Sequence, residues 1–286
     1  MAKFSIILSC LLLAAACKNQ TNKNISSETG TTRIYSSSVG DSFSVFVSLP
    51  SEYNTDRAAE FPVVYLLDAN LYFDIMATTL NKYAEVGLSP SVILVGIGYR
   101  DFQEMDSLRS RDYTYPVAIP EYEMNLSGGG DKFLSFLQKD LLPYIDGKYR
   151  TDTASRVLMG HSLGGYFTLF SLLESIKTGK KEFTGFIAAS PSLHYNHYYL
   201  LDQLSSLHAG LRKYSKAYIS YGGLEDSEDP AERKVLDVMK FIRDSVSAAT
   251  PGVVYKTEIY SNFQHMETQI PTFIKGLQWI LADGKQ

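Results

Sequence analysis

The chain has 286 residues, of which 45% are hydrophobic, and its formal net charge is −4. This length and composition are typical of one large domain with a substantial apolar core. The mild negative charge and the scattered placement of Lys and Arg give no indication of nucleic-acid binding.

The first 16 residues have the pattern of an export signal. Lys3 supplies a short positive segment, and Phe4–Ala16 is an apolar stretch that is too short to span a bilayer. Small residues then lead into Cys17, a pattern that resembles a bacterial lipoprotein signal, in which the cysteine is lipidated and becomes the first residue. Ala14 stands where that pattern usually has Leu, so simple secretory cleavage after Ala16 is the alternative. Both interpretations predict export.

We therefore predict a lipoprotein signal peptide over residues 1–16, a flexible polar tether over 17–30 and one domain over 31–286. The membrane partner would be reached through a lipid on Cys17, in the periplasm or at the outer membrane. Cys10 lies in the predicted signal, so the mature chain would keep one cysteine, which excludes an internal disulfide and a thiolate nucleophile in the domain. No feature of the sequence sets an oligomeric state.

Eight segments predict strands. The first two alternate in polarity around a Val39–Asp41 turn and predict a hairpin, whereas the later ones include solid apolar runs that are typical of parallel strands covered on both faces. The predicted strands are Ile34–Ser38, Ser42–Leu49, Phe61–Leu67, Val92–Ile97, Val157–Met159, Gly185–Ala189, Ala217–Tyr221 and Val253–Ile259.

Helical patterns fall between most of these strands. The predicted helices are Tyr72–Val86, Lys132–Ile145, Leu163–Ile176, Tyr199–Leu211, Ala231–Ala248 and Thr268–Ile280. A hairpin followed by alternating strands and helices predicts an α/β fold with an open, mostly parallel eight-stranded sheet flanked by helices. Residues 101–125 interrupt the alternation, and we expect a long irregular connection there that forms one wall of a cleft.

The segment Gly160-His161-Ser162-Leu163-Gly164 lies between a predicted strand and a predicted helix. A strand, a G-x-S-x-G sequence and a helix together are the context of a nucleophile elbow. The glycines let strand and helix approach closely, and the sharp turn exposes the serine hydroxyl above the end of the strand. Because so short a pattern also occurs by chance, Ser162 is predicted as a nucleophile only together with a base and an acid further along the chain.

His265 follows the last predicted strand, where the base of such an enzyme is expected, and His194 is the second candidate. The acid is expected on the loop after the seventh predicted strand, residues 221–230, which carries four carboxylates. Asp226 is the predicted acid because it stands just after a glycine turn and can point back over the sheet. Glu225 is the alternative, and a Ser–His dyad beside a solvated acidic loop is a further one.

An oxyanion that forms during acyl transfer needs N–H donors. We expect one from the backbone of Leu163, at the start of the helix that follows the serine, where the peptide dipoles favour negative charge. The second is expected from the backbone of Asn70, on the loop after the third predicted strand.

Six segments occur in an order that resembles a known esterase family: Tyr65–Asn70, Arg109–Thr114, Gly128–Gly130, Gly160–Gly165, Ser190–Leu193 and Asn262–His265. The family includes enterochelin (siderophore) esterases, S-formylglutathione hydrolase, feruloyl and acetylxylan esterases, and mycolyltransferases. The chain resembles the enterochelin-esterase-like branch most, over roughly residues 42–279. The resemblance implies an α/β-hydrolase fold, a metal-free serine mechanism without a cofactor, and a triad of Ser162, His265 and an acid at Asp226.

The substrate is predicted to be a small-molecule ester of a small, siderophore or carbohydrate type. Arg109 and Arg111 are candidates to bind an anionic or catecholate group, although an Arg111–Asp112 ion pair explains Arg111 equally well. His194 and Tyr195 stand where the family often has tryptophans, which predicts a more polar pocket wall. The full set predicted to bind substrate is Tyr72, Arg109, Arg111, Tyr113, His161, His194 and Tyr195.

The sequence thus predicts an exported, lipid-anchored serine esterase. Three alternatives use the same sequence features: an acyltransferase with the same triad, a peptidase, and a non-catalytic surface binding protein on a hydrolase scaffold.

Overall fold

The computed structural model describes residues 29–207, 215–230 and 232–282. The predicted signal peptide over 1–16, the predicted lipidation site Cys17 and most of the predicted tether lie outside these residues. Within the described ranges, no helix combines the length and apolar character needed to cross a membrane.

In the described part of the chain, eight strands form one sheet in the order β1-β2-β4-β3-β5-β6-β7-β8. The strand β2 is antiparallel to both β1 and β4, and the other neighbouring strands are parallel, so the predicted fold is confirmed. The strands are β1 Thr29–Ser36, β2 Asp41–Ser48, β3 Phe61–Leu66, β4 Ile93–Gly98, β5 Thr151–His161, β6 Gly185–Ala189, β7 Ser215–Gly222 and β8 Val253–Tyr260.

The helices of the described ranges are α1 Ala69–Glu85, α2 Phe102–Tyr113, α3 Gly130–Phe136, α4 Leu142–Lys148, α5 Leu163–Thr178, α6 Tyr195–Ser205, α7 Val235–Phe241, α8 Ser247–Ala249 and α9 Gln269–Ile280. A π-helical turn, Leu137–Leu141, joins α3 to α4, and a second, Ile242–Val246, joins α7 to α8. Short 3₁₀ turns occur at Ser51–Asn54, Pro120–Tyr122 and His265–Glu267.

Two apolar cores lie on the two faces of the sheet. Side chains alternate along a strand, so Val63 and Tyr65 of β3 pack into one core while Val64 and Leu66 pack into the other. Helices α1 and α9 cover the face that carries Val64, and helices α2, α3, α5, α6 and α7 contribute buried residues to the opposite core. Burial on both faces is why these strands are continuous apolar runs rather than alternating ones.

The connection predicted to be irregular over residues 101–125 is half helical, which corrects that prediction. Helix α2 begins after Asp101, whose side chain accepts a hydrogen bond from the Glu104 N–H at 2.8 Å. The helix is polar and buries only Met105, Asp112 and Tyr113, so it lacks a strong apolar stripe. The helix is stabilised by its N-terminal cap and by its packing, and neither can be recognised from a hydrophobic pattern.

Candidate active site

Ser162 forms a one-residue turn between β5 and α5. Its backbone angles, φ 59° and ψ −120°, lie in a region that non-glycine residues rarely adopt, and this strain is the mark of a nucleophile elbow. A Cβ on Gly160 would lie 2.4 Å from the carbonyl of Gly164, and a Cβ on Gly165 would lie 3.1 Å from the Ala189 oxygen. The close approach of helix to strand therefore requires a glycine at 160, and Gly165 lies in tight contact with the end of β6.

The loop after β6 holds this turn in place. The Ser162 N–H donates to the Ala189 carbonyl at 3.0 Å, and the Ser192 N–H donates to the Ser162 carbonyl at 3.1 Å. The hydroxyl groups of Ser162 and Ser192 are 3.2 Å apart and hydrogen-bonded. Three hydrogen bonds thus stabilise a backbone conformation that is unfavourable by itself.

His265 lies in the 3₁₀ turn that follows β8, and its Nδ1 is 2.7 Å from Oε2 of Glu225. Burial raises the pKa of Glu225, but hydrogen bonds from His265, Ser190 and Gly222 outweigh burial and hold it below its ordinary value. The carboxylate is therefore ionised at neutral pH and fixes the imidazole through Nδ1, which leaves Nε2 for chemistry.

This contact corrects the predicted acid, because Asp226 does not face His265. Oδ1 of Asp226 accepts a hydrogen bond from the N–H of Val235 at 2.7 Å, so the side chain caps the start of α7. Glu225 points the other way because the Gly222 N–H, at the end of β7, donates to its Oε1 and folds the side chain back over the sheet. The two adjacent carboxylates thus have different roles, and the predicted alternative is the one that reaches the histidine.

The two predicted oxyanion donors begin neighbouring helices. Leu163 is the first residue of α5 and Asn70 the second of α1, positions whose N–H groups have no acceptor within the helix. A Cβ on Gly164 would lie 3.1 Å from Asp68 Oδ2, so these helix starts are in contact. The Asn70 side chain accepts a hydrogen bond from the Tyr99 N–H at 2.8 Å and donates one to the Tyr99 carbonyl at 3.0 Å. The candidate donor to an oxyanion is therefore the backbone N–H of Asn70. Both donor roles stay predictions.

The predicted anion-binding arginines are engaged in internal ion pairs, which corrects that part of the sequence prediction. Arg109 makes two hydrogen bonds to Asp68, at 2.9 and 2.8 Å, and the Asp68 side chain is 3% exposed. Arg111 pairs with Asp112 and with Asp41, as the ion-pair interpretation of this residue expects. These guanidinium groups therefore hold α2 against the sheet and the hairpin.

Four further residues predicted to bind substrate are buried. Tyr113 accepts a hydrogen bond from the Asp68 N–H, and Tyr195 donates to the Pro116 carbonyl at 2.8 Å. The Tyr72 hydroxyl contacts a ring nitrogen of His161. Their exposed fractions are 0% for Tyr113, 2% for Tyr195, 4% for Tyr72 and 2% for His161. These four side chains therefore pack inside the domain.

A cavity of about 540 Å³ opens beside Ser162, Glu225 and His265. Of the seven residues predicted to bind substrate, all of them within the described ranges, His194 alone lines it, and burial lowers the pKa of its imidazole. The sequence prediction missed most of the wall, because its residues come from segments far apart in the chain. These other lining residues are Ser190, Pro191, Ser192, Tyr198, Tyr221, Leu224, Ser227, Glu232, Arg233, Val235, Val238 and Gln264.

Within the described ranges, no group of three or more His, Cys, Asp or Glu side chains is arranged to hold a metal ion. The cavity wall includes the hydroxyl of Ser162, the imidazole of His265 and the carboxylate of Glu225. This set can perform acyl transfer, because it supplies a nucleophile, a base and a group that orients the base.

An open sheet with a strained serine after β5, a carboxylate after β7 and a histidine after β8 defines the chain as an α/β hydrolase by fold. The profile of the family described as "Putative esterase" matches residues 36–215. Since this is more than half of the 286 residues, the chain belongs to that family.

Two curated relatives and one solved structure illustrate the similarity. The ferri-bacillibactin esterase BesA of Bacillus subtilis is 38% identical over 170 residues, 56% of this chain and 56% of that protein. The siderophore enterobactin esterase of Emericella nidulans is 29% identical over 180 residues, 57% of each. The chain thus spans about half the length of the curated relatives it matches. The crystal structure of the BES protein from Bacillus cereus covers 97% of this chain and 99% of that one, with a TM-score of 0.72 and 21% identity, which shows a shared fold.

Proposed function

We propose that this chain is a serine esterase in which Ser162 is the nucleophile, His265 the base and Glu225 the acid. The observation that carries the proposal is the 2.7 Å contact from Nδ1 of His265 to Glu225, in the cavity that Ser162 also lines. A serine hydroxyl is a weak nucleophile at neutral pH and needs such an oriented base. The strained backbone of Ser162 supports the same role, because strain of this kind persists where function uses it.

In the proposed reaction, His265 Nε2 takes the hydroxyl proton as Ser162 Oγ bonds to the carbonyl carbon of the ester. The carbonyl electrons move onto oxygen, where the N–H groups of Leu163 and Asn70 stabilise the charge. The bond to the alcohol oxygen then breaks, and that oxygen takes the proton from His265. Water repeats the sequence on the acyl-enzyme and releases the carboxylic acid.

The ionised Glu225 stabilises the imidazolium that exists between these proton transfers. Its second oxygen is held by Ser190 and by the Gly222 N–H, so the carboxylate is already oriented before substrate binds. Preorganised charge of this kind costs no reorganisation at the moment of reaction.

For the substrate we propose an ester of a siderophore. The support comes from the family, from the names of the two curated relatives, and from a cavity lined by both polar and aromatic side chains. An arginine, Arg233, lines the cavity. Its guanidinium group lies over the ring of Tyr198, with 4.8 Å between the guanidinium carbon and the ring centre.

A panel of esters tests the proposal with the purified chain and with Ser162→Ala. The panel contains a triscatecholate trilactone with and without iron, an acetylated and a feruloylated sugar, and p-nitrophenyl acetate. We expect trilactone cleavage by the wild type and a loss of at least about 1,000-fold in Ser162→Ala. Unchanged turnover in the variant would overturn the mechanism, and cleavage of the sugar esters alone would overturn the substrate class.

Two additions to the panel separate the alternatives. An acceptor alcohol that diverts the acyl group into a new ester in preference to water would indicate an acyltransferase. Cleavage of p-nitroanilides faster than of esters would indicate a peptidase, and no turnover with any compound would favour a binding protein.

The proposal includes attachment to a membrane through a lipid on Cys17. Its support is the sequence alone, namely the apolar stretch Phe4–Ala16 before this cysteine and the polar stretch after it. Such an anchor would keep the domain in the bacterial cell envelope, in the periplasm or at the outer membrane.

A further inference from the structure

His161 stands next to the nucleophile in sequence but points away from the cavity. The side chain is buried, and both of its ring nitrogens have partners. Nε2 lies 2.9 Å from the main-chain oxygen of His265, and Nδ1 lies 3.1 Å from the hydroxyl of Tyr72. The two imidazole rings are 4.6 Å apart, centre to centre.

The carbonyl oxygen of His265 determines the tautomer of His161, and the Tyr72 hydroxyl is compatible with that tautomer. A main-chain carbonyl oxygen can only accept, so Nε2 must carry a proton. Burial raises the pKa of Tyr72, so its hydroxyl keeps its proton and donates to Nδ1. Burial, and then the nearby His265, lower the pKa of His161 to about 4, so the ring is neutral at neutral pH.

A count of protons singles out His161 as the side chain that serves the His265 carbonyl. Ser190 Oγ is 2.6 Å from Glu225 Oε1 and 2.6 Å from Thr268 Oγ1. An ionised carboxylate only accepts, so Ser190 gives its one proton to Glu225, and Thr268 must give its own to Ser190. Thr268 Oγ1 also lies 3.2 Å from the His265 oxygen, but it then has no proton left for it. His161 Nε2–H supplies that hydrogen bond.

We propose that His161 is a positioning residue that holds the base at the correct distance from the nucleophile. The hydrogen bond runs from the last residue of β5, directly before Ser162, to the backbone of His265. It therefore connects Ser162 to His265 through the His161 imidazole and one peptide bond. Glu225 orients the His265 ring separately, through Nδ1. The inference rests on the proposed esterase function and adds a residue to its machinery.

The test compares kcat and KM of three variants on p-nitrophenyl acetate. His161→Phe keeps an aromatic ring in the same space but has no N–H donor, so the hydrogen bond to the His265 carbonyl is lost. We expect kcat to fall about 10- to 100-fold, as for a small misplacement of a catalytic group, with KM within about twofold. His161→Gln keeps an N–H donor and should restore most of kcat. Tyr72→Phe removes the other hydrogen bond of His161 and should keep kcat within about threefold.

Four results would overturn the positioning role. They are a wild-type kcat in His161→Phe, an equal loss in the Phe and Gln variants, a loss expressed in KM alone, and a larger loss in Tyr72→Phe than in His161→Phe. Ser162→Ala is run beside them: if it keeps full activity, the esterase proposal itself fails, whereas an inactive Ser162→Ala with a fully active His161→Phe rejects only the positioning role.

One measurement reads the tautomer of His161 in the wild-type chain itself. Imidazole ¹⁵N NMR of the wild type should show His161 protonated at Nε2 and unprotonated at Nδ1, with the signals assigned by their loss in His161→Gln. A His161 ring protonated at Nδ1 would overturn the proposal, because that tautomer cannot donate to the His265 carbonyl.

Discussion

Replacing Glu225 by Gln changes one oxygen to an amide nitrogen at nearly constant volume. If the new NH₂ group faces His265, the imidazole must accept at Nδ1, so Nε2 carries the proton and cannot act as a base. If the NH₂ group is turned the other way, it meets the N–H of Gly222, which is also a donor. The charge that stabilises the imidazolium is lost in both orientations. We expect kcat to fall by about 10²- to 10⁴-fold.

The neighbouring acid is the matched control. Asp226→Asn keeps an oxygen that can accept from Val235, so it should leave kcat within about twofold. Asp226→Ala removes this cap and should lower the free energy of unfolding by about 1 kcal/mol without affecting kcat. The assay is steady-state hydrolysis of p-nitrophenyl acetate at neutral pH, with urea denaturation of each variant. A larger kcat loss in Asp226→Asn than in Glu225→Gln would refute the assignment of the acid.

Three other predictions concern stability and location. Gly160→Ala should lower the free energy of unfolding in urea by about 3 kcal/mol, because the added Cβ would lie 2.4 Å from backbone atoms of α5. Gly147→Ala is the control, because a Cβ there would meet nothing within 4 Å. Equal free energies of unfolding for the two variants would contradict the close approach of α5 to Gly160. Burial lowers the pKa of His161 from 6.5 to about 4, so as pH falls between these values the unfolded chain binds the proton first and stability decreases. The lowered pKa of His161 should reduce the free energy of unfolding by about 3 kcal/mol over this pH range. If the free energy of unfolding of His161→Gln in urea falls as steeply with acid as that of the wild type, His161 is not the cause. Cys17→Ser in the expressing bacterium should abolish incorporation of labelled palmitate and release the chain from the membrane fraction, whereas unchanged membrane retention would reject the lipid anchor.

The sheet and the elbow could be predicted from sequence because each depends on local chemistry. The run Phe61–Leu66 is apolar at nearly every position because both faces of β3 are buried. Gly160 is a glycine because strand β5 and helix α5 meet at one residue, and a Cβ there would lie 2.4 Å from the backbone of Gly164. The strand and the glycine turn are thus recognisable from neighbouring residues, whereas the role of Ser162 as a nucleophile could be predicted only together with His265 and an acid elsewhere in the chain.

The side-chain partners could not be predicted, because they are distant in sequence or depend on rotamers. The guanidinium group of Arg109 could bind an anionic substrate, but its partner in the structure is the carboxylate of Asp68, which lies 41 positions earlier in the chain. Glu225 and Asp226 are adjacent and chemically alike, and the turn after β7 alone decides which of them faces His265. Sequence patterns report periodicity, whereas these choices follow from the orientation of single side chains.

An activated nucleophile at Ser162 should react with a phosphonylating reagent, so covalent labelling shows whether this serine is activated. The purified chain is treated with a fluorophosphonate, its mass is measured intact, and the modified peptide is sequenced. We expect one added phosphonyl group on Ser162, no labelling of Ser162→Ala, and much slower labelling of Glu225→Gln. An unlabelled wild-type chain, or a label on another residue, would contradict the role of Ser162 as an activated nucleophile.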